Sequence, residues 1–340
     1  MPNVMITKRC NLSCPYCFAN DFVNKPSEGD MSMEALEEIL RFLFRDGSVR
    51  SLGLIGGEPS CHRQFDDILA RLAGEERLER VTLYTNGVLL GRYLARLENE
   101  KFRVLVNCNE PQRMGKNWES LLDVLEKIRD SGWKKRVTLG VNFYAPEFDY
   151  TYMLELADLF VPENLRVSVS VPNLGGCAQD PFPYFEAMKP HIFSFFDALK
   201  DRSVIPFFDC NVFPACLIST KEVQRFEQWG ARNPFLHLKN HPSGCRPVID
   251  IMDDMTAVRC FGLSEYTRVS IHEFASFTDL MNYYLRTVDA YAANTYHHEK
   301  CTDCYQYKTM RCAGGCLVYK IRQVLENRRL VEEHNGAYRL

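Results

Sequence analysis

The chain has 340 residues, of which 46% are hydrophobic and 25% charged, and its formal net charge at pH 7 is −3. This composition is that of an ordinary globular protein and excludes a disordered or fibrous chain. The near-neutral charge gives no attraction to nucleic acid or to an anionic membrane, and the sequence has no secretory signal or long apolar segment, so we expect a cytoplasmic protein.

Strand-like and helix-like stretches alternate along the first two-thirds of the chain. Runs with β-branched residues predict strands at 4–7, 49–55, 80–85, 102–107, 136–143 and 165–171. Helices are predicted at 32–44, with Ser32 as N-cap, and at 62–72, 88–97, 118–131, 150–160 and 184–199. Six such units predict an α/β fold, a parallel sheet closed into a partial (β/α)6 TIM-like barrel, with an open doubly wound sheet as the alternative. Both folds place the chemistry on loops at the C-terminal ends of the strands.

The pattern changes near residue 206. Strand–helix alternation fades, proline and glycine become frequent, and cysteines become dense. A cysteine-rich stretch with little periodicity predicts a small domain organised by metal rather than by a large apolar core. The expected division is therefore a barrel domain at 1–205 and an auxiliary domain at 206–340, with a final helix at 317–332.

The 14 cysteines are the unusual part of the composition, and many are clustered. In a reducing cytosol, clustered cysteines bind metal more often than they form disulfides. The first cluster is Cys10, Cys14 and Cys17, spaced C-x3-C-x2-C directly after the first predicted strand. Three thiolates hold three irons of a [4Fe–4S] cluster and leave the fourth open for a small molecule. A zinc site completed by a remote residue, or inert thiols, are the alternatives.

Two further turns follow the second and third predicted strands. Gly56, Gly57 and Glu58 end the second strand, where glycines permit close approach of a ligand and a carboxylate can receive an ammonium group. Residues 84–87, Tyr-Thr-Asn-Gly, end the third strand and can bring polar groups to the same edge. Taken singly, each stretch is an ordinary turn.

Together these motifs resemble the radical SAM superfamily. The spacing of Cys10, Cys14 and Cys17, with Tyr16 before the last cysteine, is similar to that family's signature, and the Gly-Gly-Glu sequence is similar to its second motif. The resemblance implies a [4Fe–4S] cluster on the three cysteines whose open iron binds S-adenosylmethionine (SAM). Reductive cleavage of SAM would give a 5′-deoxyadenosyl radical that abstracts a substrate hydrogen, an oxidoreductase-type reaction.

The resemblance also implies contacts to SAM. The methionine ammonium would contact Gly56, Gly57 and Glu58. The adenine would lie near the backbone around Tyr16 and Phe18. Asn107 and Asn142 end the fourth and fifth predicted strands and are candidates for the ribose or carboxylate, unless they only satisfy strand-end backbone groups. Arg166, near the start of the sixth strand, is not predicted to take part.

A second cysteine field lies near the C-terminus. Cys301, Cys304, Cys312 and Cys316 have the spacing C-x2-C-x7-C-x3-C, which predicts a metal site, with a zinc knuckle as the alternative. Upstream, Cys245 and Cys260 flank two short apolar runs at 248–251 and 257–258, which predict a hairpin.

This field resembles the SPASM extension of radical SAM enzymes, which carries auxiliary [4Fe–4S] clusters. It departs from that pattern because Met255 replaces the hairpin glycine, the usual C-x5-C step is C-x7-C, and no cysteine follows Cys316. The resemblance implies one cluster on Cys245, Cys260 and Cys316. It implies a second on Cys301, Cys304 and Cys312, with an open iron or a residue such as His334 completing it.

The related twitch extension has a single cluster. It would take Cys245, Cys260, Cys301 and Cys304, leaving Cys312 and Cys316 unassigned. Two clusters are expected rather than one. The pair Cys210 and Cys216, spaced C-x5-C before the hairpin, can supply a missing ligand.

Three cysteines, Cys61, Cys108 and Cys177, lie outside these groups. Free cysteines are commonly buried small hydrophobes, but Cys61 follows Glu58 closely and is a candidate catalytic residue.

The resemblance indicates the type of reaction more directly than it indicates the substrate. SPASM enzymes mostly modify peptides, so we expect maturation of a ribosomally synthesised peptide, for example by a crosslink. Alternatives are a sulfatase-maturase-like enzyme that oxidises Cys or Ser to formylglycine, and a non-catalytic iron–sulfur protein. The expected partners are a precursor peptide and an electron donor of the flavodoxin or ferredoxin type. Because the cysteine loop begins by residue 10, no leader-binding domain is expected in front, and a separate leader-binding protein is a further candidate partner.

Overall fold

The structure is a computed structural model that describes residues 1–17, 19, 23–24, 29–170, 182–208, 215–230, 248–264, 266–295, 298–309, 312, 314–318 and 320–321. Among the helices of these residues, none is long and apolar enough to cross a membrane.

Ten strands lie in the described residues and share one sheet. They are β1 (Pro2–Met5), β2 (Ser51–Ile55), β3 (Arg80–Thr85), β4 (Phe102–Asn107), β5 (Val137–Phe143), β6 (Asn164–Val169), β7 (Ile205–Phe208), β8 (Ile249–Ile251), β9 (Thr256–Val258) and β10 (Val269–Ser270). Their order is β10-β9-β8-β1-β2-β3-β4-β5-β6-β7. Strands β1 to β7 are parallel and follow one another in sequence order.

Helices follow most of these strands. They are α1 (Met33–Leu43), α2 (Phe65–Ala73), α3 (Leu94–Leu97), α4 (Pro111–Met114), α5 (Asn117–Arg129), α6 (Thr151–Phe160), α7 (Phe182–Lys200), α8 (Thr220–Gln228), α9 (Phe277–Tyr284), α10 (Ala290–Thr295) and α11 (Tyr305–Lys308). A π-helical turn, Leu285–Asp289, joins α9 to α10. Short 3-10 helices lie at Pro59–Cys61, Leu90–Arg92, Lys134–Arg136, Ala215–Leu217, Phe261–Leu263, Ile271–Glu273 and Glu299–Cys301.

Helix α1 shows how local sequence determines an element. The Ser32 side chain accepts a hydrogen bond from the backbone N–H of Ala35 at 3.1 Å, which confirms the predicted N-cap. One face of the helix buries four apolar side chains at helical spacing, namely Leu36, Ile39, Leu40 and Leu43. The helix therefore packs on the sheet through the face that the sequence pattern predicts.

The winding of the sheet decides between the two predicted folds. A doubly wound sheet reverses its strand order at a switch point, whereas β1 to β7 run in unbroken order. The partial-barrel prediction is confirmed, and the doubly wound alternative is wrong. The C-terminal ends of the strands meet at one edge, where the loops carry the candidate site.

Apart from shifts of one to three residues at the ends of several elements, two local predictions differ from the structure. The predicted helix 88–97 is a 3-10 turn, Leu90–Arg92, followed by the short α3, since Gly91 weakens a continuous helix. A seventh parallel strand, β7, contains Pro206, and the predicted domain boundary at 205/206 falls inside it. Proline lacks a backbone N–H, but an outer strand of the sheet tolerates this loss.

The predicted C-terminal hairpin is present and extends the barrel sheet. Strand β8 pairs with β9 in antiparallel fashion and with β1 in parallel, so the hairpin continues the sheet beyond the first strand. Cys260 follows β9, whereas Cys245 lies outside the described residues. Of the predicted final helix, residues 317–318 and 320–321 are described and are helical.

The hairpin turn contains a backbone conformation that side chains rarely adopt. Met255 has φ of 61° at the position where the SPASM pattern has glycine. A residue with a Cβ in the left-handed region is strained relative to glycine. The Met255 side chain packs against the core, and this contact offsets part of the strain.

We therefore predict that Met255→Gly is more stable than Met255→Ala by roughly 0.5–1 kcal/mol, because both variants lose the side chain but alanine keeps the backbone strain. Urea unfolding of the two variants measures the difference. Met252, which lacks a positive φ, is the matched control: there alanine should be the more stable replacement. Equal stability of the two Met255 variants would contradict the prediction.

Candidate functional site

The three N-terminal cysteines lie together on the loop after β1, residues 6–17, here called the cysteine loop. The Cys17 N–H donates to the Cys14 carbonyl at 3.1 Å, forming a tight turn between the last two thiols. Burial raises the pKa of Cys10 to about 12, and the neighbouring Cys14 and Cys17 contribute to the rise. Burial likewise raises the pKa of Cys14 to about 11. These thiols stay protonated at neutral pH without metal, so metal binding must release their protons.

The donor set of the cysteine loop fits an iron–sulfur cluster. Soft thiolate ligands select iron–sulfur clusters, copper(I) and zinc over hard cations, and three thiolates are one fewer than a closed site uses. Among the described residues, no three His, Cys, Asp or Glu side chains are arranged to hold a single metal ion.

The Gly-Gly-Glu turn after β2 is joined directly to the cysteine loop. The N–H of Gly57 donates to the Thr7 carbonyl at 2.8 Å, and the N–H of Glu58 donates to the Arg9 carbonyl at 2.7 Å. A Cβ on Gly57 would lie 2.5 Å from the Arg9 oxygen, and one on Gly56 would lie 2.8 Å from the Thr7 oxygen. The close contact between this turn and the cysteine loop therefore requires glycine at both positions. Contact of the two glycines with SAM remains a prediction.

The Glu58 side chain is buried, with 1% of its surface exposed, and its carboxylate accepts four hydrogen bonds. The donors to Oε1 are the Ser60 N–H at 3.1 Å, the Ser60 hydroxyl at 2.5 Å and the Thr85 hydroxyl at 2.7 Å. The Asn86 N–H donates to Oε2 at 2.7 Å. Burial raises the pKa of Glu58, yet all four partners donate, so the site is built for the ionised form.

Asn86 extends this network back to the cysteine loop. Its side-chain Nδ2 donates to Asn11 Oδ1 at 2.7 Å. Glu58 therefore connects the ends of β2 and β3 with the loop that carries the thiols. The predicted contact of its carboxylate with the SAM ammonium stays a prediction, and the structure gives the carboxylate a positioning role.

Three polar side chains meet inside the barrel at strands β4, β5 and β6. Arg166 Nη1 donates to Asn107 Oδ1 and to Asn142 Oδ1, each at 3.1 Å. The Arg166 side chain reaches Asn107 across β5 because Gly140 lies between them in the sheet register. A Cβ on Gly140 would lie 3.2 Å from Arg166 Cδ. The sequence places both asparagines at strand ends, whereas their contact with Arg166 depends on this non-local register. The contacts of Asn107 and Asn142 with SAM stay predictions.

The ring of Tyr16 is held on two sides. Its centroid lies 5.3 Å from that of Tyr144, and its hydroxyl donates to Asn109 Oδ1. The same Asn109 oxygen accepts from Cys14 Sγ at 3.2 Å. Burial raises the pKa of Tyr16 well above its usual value, so the phenol stays neutral and orders the cysteine loop. Sequence reasoning missed Asn109 and Tyr144, and Phe18 lies outside the described residues.

Two adjoining cavities open beside the cysteine loop. The loop cavity, of about 530 Å³, is lined by Cys10, Asn11, Leu12, Ser13, Gln112, Arg113 and Asn117. The rim cavity, of about 730 Å³, lies between the loops after β4 and β5 and shares Gln112 and Arg113 with it. Four acidic residues and three aromatic residues line the rim cavity. They are Glu110, Glu147, Asp149 and Glu155, and Tyr144, Phe148 and Tyr152.

The charge of Arg113 in the rim cavity is already compensated. Its guanidinium lies 2.8 Å from the Glu110 carboxylate and donates to the Tyr144 hydroxyl, which itself donates to Glu110 at 2.6 Å. The cavity therefore carries an excess of negative charge. This excess disfavours polyanionic ligands.

The cysteines outside the clusters behave differently from activated nucleophiles. Burial raises the pKa of Cys61 to about 11 and that of Cys108 to about 12. Reactive cysteines have a lowered pKa, so neither thiol is activated in this structure. A catalytic role of Cys61 stays a prediction.

The structure places part of the C-terminal cysteine field. Cys260, Cys304, Cys312 and Cys316 are partly exposed, Cys301 is buried, and Cys216 is exposed. Cys177, Cys210, Cys245 and His334 lie outside the described residues. The assignment of one or two auxiliary clusters therefore stays a prediction.

Comparison with known proteins identifies the N-terminal domain. Residues 4–160 match the radical SAM superfamily, and this part of the chain is a radical SAM domain. The molybdenum cofactor biosynthesis protein 1 of Drosophila melanogaster is 34% identical over 142 residues, 41% of this chain and 23% of that protein. The probable GTP 3′,8-cyclase of Archaeoglobus fulgidus is 30% identical over 199 residues, 54% of this chain and 61% of that protein. The chain thus spans less than two-thirds of either relative.

A solved structure shares the fold over a longer stretch. SuiB of Streptococcus suis bound to S-adenosylmethionine has a TM-score of 0.63 at 15% identity, covering 94% of this chain and 73% of SuiB. The same protein bound to the precursor peptide SuiA has a TM-score of 0.61 at 16% identity. The shared fold therefore extends beyond the radical SAM domain into the C-terminal region.

The buried carboxylate of Glu58 gives a direct test of the network. We predict that Glu58→Gln lowers the free energy of unfolding by about 1–3 kcal/mol, because the new amide places an N–H donor against the backbone N–H of Asn86 or that of Ser60. Urea unfolding measures the change. Glu79→Gln is the matched control, since Glu79 is exposed and pairs with Arg50 at the surface, and it should change stability by less than about 0.5 kcal/mol. Equal effects of the two substitutions would contradict a structural role of Glu58.

Proposed function

We propose that the protein is a radical SAM enzyme that reductively cleaves SAM and modifies a peptide. The observation that carries the first part is the loop of three partly buried thiols, held by the Gly-Gly-Glu turn at the C-terminal edge of the barrel. With a bound [4Fe–4S] cluster and SAM, this site would supply a 5′-deoxyadenosyl radical. The protein's own part is orientation of the bound groups and exclusion of water.

Roles for individual residues follow from their positions. Cys10, Cys14 and Cys17 would hold the cluster, and Glu58 would fix the turn beside it. Arg166, with its guanidinium between Asn107 and Asn142, offers a cation and amide groups for the carboxylate and ribose of SAM. Tyr16, fixed by Asn109 and Tyr144, would support the adenine side of the loop.

The rim cavity supports a peptide as substrate. It adjoins the loop cavity that reaches Cys10, and its aromatic and carboxylate lining suits amide and cationic side chains. The precursor peptide SuiA, bound to SuiB in one of the solved structures that share the fold, supports the same class. Formylglycine formation on a Cys or Ser side chain is a reaction of this class too, and the genes beside this one would indicate which peptide or protein is modified.

A second candidate function is cyclisation of a nucleoside triphosphate. It is favoured by the 30% identity with the probable GTP 3′,8-cyclase of Archaeoglobus fulgidus. The four carboxylates of the rim cavity oppose it, because a triphosphate requires compensating cations and the Arg113 charge is paired with Glu110. We therefore favour the peptide substrate.

The reaction itself is tested by product formation. Reconstituted protein with dithionite and SAM should yield methionine and 5′-deoxyadenosine, detected by mass spectrometry. In Cys14→Ala the product should fall to the level of a protein-free reaction, because one of three cluster ligands is lost. Cys108→Ala removes a thiol outside the loop and should retain the product. Unchanged formation of 5′-deoxyadenosine in Cys14→Ala would refute the assigned role.

The substrate class is tested separately with GTP. We expect GTP to leave the yield of 5′-deoxyadenosine unchanged and to be recovered intact, because the rim cavity repels a polyphosphate. Chromatography of the nucleotide and mass spectrometry of the adenosine product measure both. A cyclised guanosine product formed in step with 5′-deoxyadenosine would establish the second candidate instead.

A further inference from the structure

The chain between β1 and Cys10 is hydrogen-bonded to two different partners. The first partner is the Gly-Gly-Glu turn, where the N–H of Gly57 binds the Thr7 carbonyl and the N–H of Glu58 binds the Arg9 carbonyl. These bonds use the carbonyls of alternate residues. The backbone groups of the residues between and after them face a second partner.

Asn24 is the second partner. Its backbone N–H donates to the Lys8 carbonyl at 2.9 Å, and its side-chain Oδ1 accepts from the N–H of Cys10 at 2.8 Å. A neighbouring strand binds two residues in this way, and here a side-chain amide takes the place of one backbone carbonyl. Asn24 therefore holds the two residues that the Gly-Gly-Glu turn does not bind.

The backbone of Asn24 shows why this residue type suits the position. Its φ is 57°, in the left-handed region, where asparagine occurs more often than most residues with a Cβ. Asparagine and aspartate combine tolerance of this conformation with a side-chain oxygen of the same reach. Glycine adopts the conformation but has no side-chain oxygen. Substitution by aspartate or by glycine therefore separates the hydrogen bond from the backbone conformation.

The bond to Asn24 also determines which N–H group serves the Cys10 sulfur. The single hydrogen of the Cys10 N–H is directed at Asn24 Oδ1, so it is not donated to sulfur. Burial raises the pKa of Cys10 to about 12, and a hydrogen bond from the Leu12 backbone opposes this rise. Leu12 is therefore the backbone donor at the Cys10 sulfur. Hydrogen bonds to the sulfurs help to set the reduction potential of an iron–sulfur cluster.

We propose that Asn24 is a positioning residue for the cluster of the cysteine loop, because it fixes Cys10 before iron binds and keeps the Cys10 N–H away from the cluster sulfurs. Cys14 and Cys17 are joined by the tight turn between them, whereas Cys10 is fixed by Asn24, which lies outside the loop. A ligand that is already ordered loses less conformational entropy when it binds iron. The inference rests on the proposed function, since it requires a cluster on these three cysteines.

The test uses the reconstituted full chain and follows the iron and the EPR signal that Cys10→Ala lacks. Two quantities are measured without oxygen: the rate at which EDTA removes this iron, and the reduction potential of this signal. In Asn24→Gly the removal should be roughly two- to fivefold faster, because one hydrogen bond is lost and water replaces it in part. Asn24→Asp keeps the acceptor and should keep the wild-type rate. Its carboxylate should lower the potential, because reduction adds negative charge nearby, and the drop should shrink as salt is raised.

Asn99→Gly is the matched control, because the Asn99 side chain also accepts a backbone N–H, that of Lys101 at 3.0 Å, just before β4 at the other edge of the sheet. Neither quantity should change in this variant. A wild-type removal rate in Asn24→Gly, faster removal in Asn24→Asp, or an unchanged potential in Asn24→Asp would overturn the inference and leave the proposed function standing. A wild-type protein without any iron that Cys10→Ala lacks would instead overturn both.

Discussion

The arrangement of the candidate site depends on one buried carboxylate. Glu58 accepts hydrogen bonds from the turn after β2 and from the end of β3, while its backbone N–H binds the Arg9 carbonyl of the cysteine loop. Burying an ionised carboxylate costs free energy unless both of its oxygens accept hydrogen bonds. The buried donors around Glu58 would likewise be left unpaired without the carboxylate. Because Asn86 also binds Asn11, the thiols are fixed to the strand ends that would face SAM, before any cluster is bound.

The first strand connects this site to the C-terminal region. Strand β1 pairs with β2 on one side and with β8 on the other, and the cysteine loop leaves directly from its end. The hairpin is in turn fixed by Arg259, which makes a two-point ion pair with Asp289 at 2.7 and 2.8 Å, both side chains almost fully buried. Breaking such a pair leaves an uncompensated buried charge. Cys260, next to Arg259, therefore has a backbone position set by the same sheet that positions Cys10.

Local patterns predicted much of this architecture, whereas non-local contacts were not predictable. Strands β3 and β4 have the predicted bounds, and Ser32 caps α1 as expected, because periodicity and caps are encoded within a few residues. Proline and the loss of alternation near residue 206 predict a domain boundary, whereas Pro206 lies within β7, paired with β6. Arg166 was missed because its partners depend on sheet register, which brings together residues 59 and 24 positions apart.

The inside of the barrel and the rim cavity differ in charge. Inside the barrel, Arg166 places a guanidinium between the amide oxygens of Asn107 and Asn142 at the strand ends, and a guanidinium pairs well with a carboxylate. Outside, the rim cavity has four carboxylates and a single arginine whose charge Glu110 compensates. A small anionic or zwitterionic group is therefore favoured within the barrel, and a neutral or cationic chain is favoured at the rim. Since the loop cavity shares Gln112 and Arg113 with the rim cavity, a peptide lying along the rim would reach the reactive end of the barrel without crossing the cation at its centre.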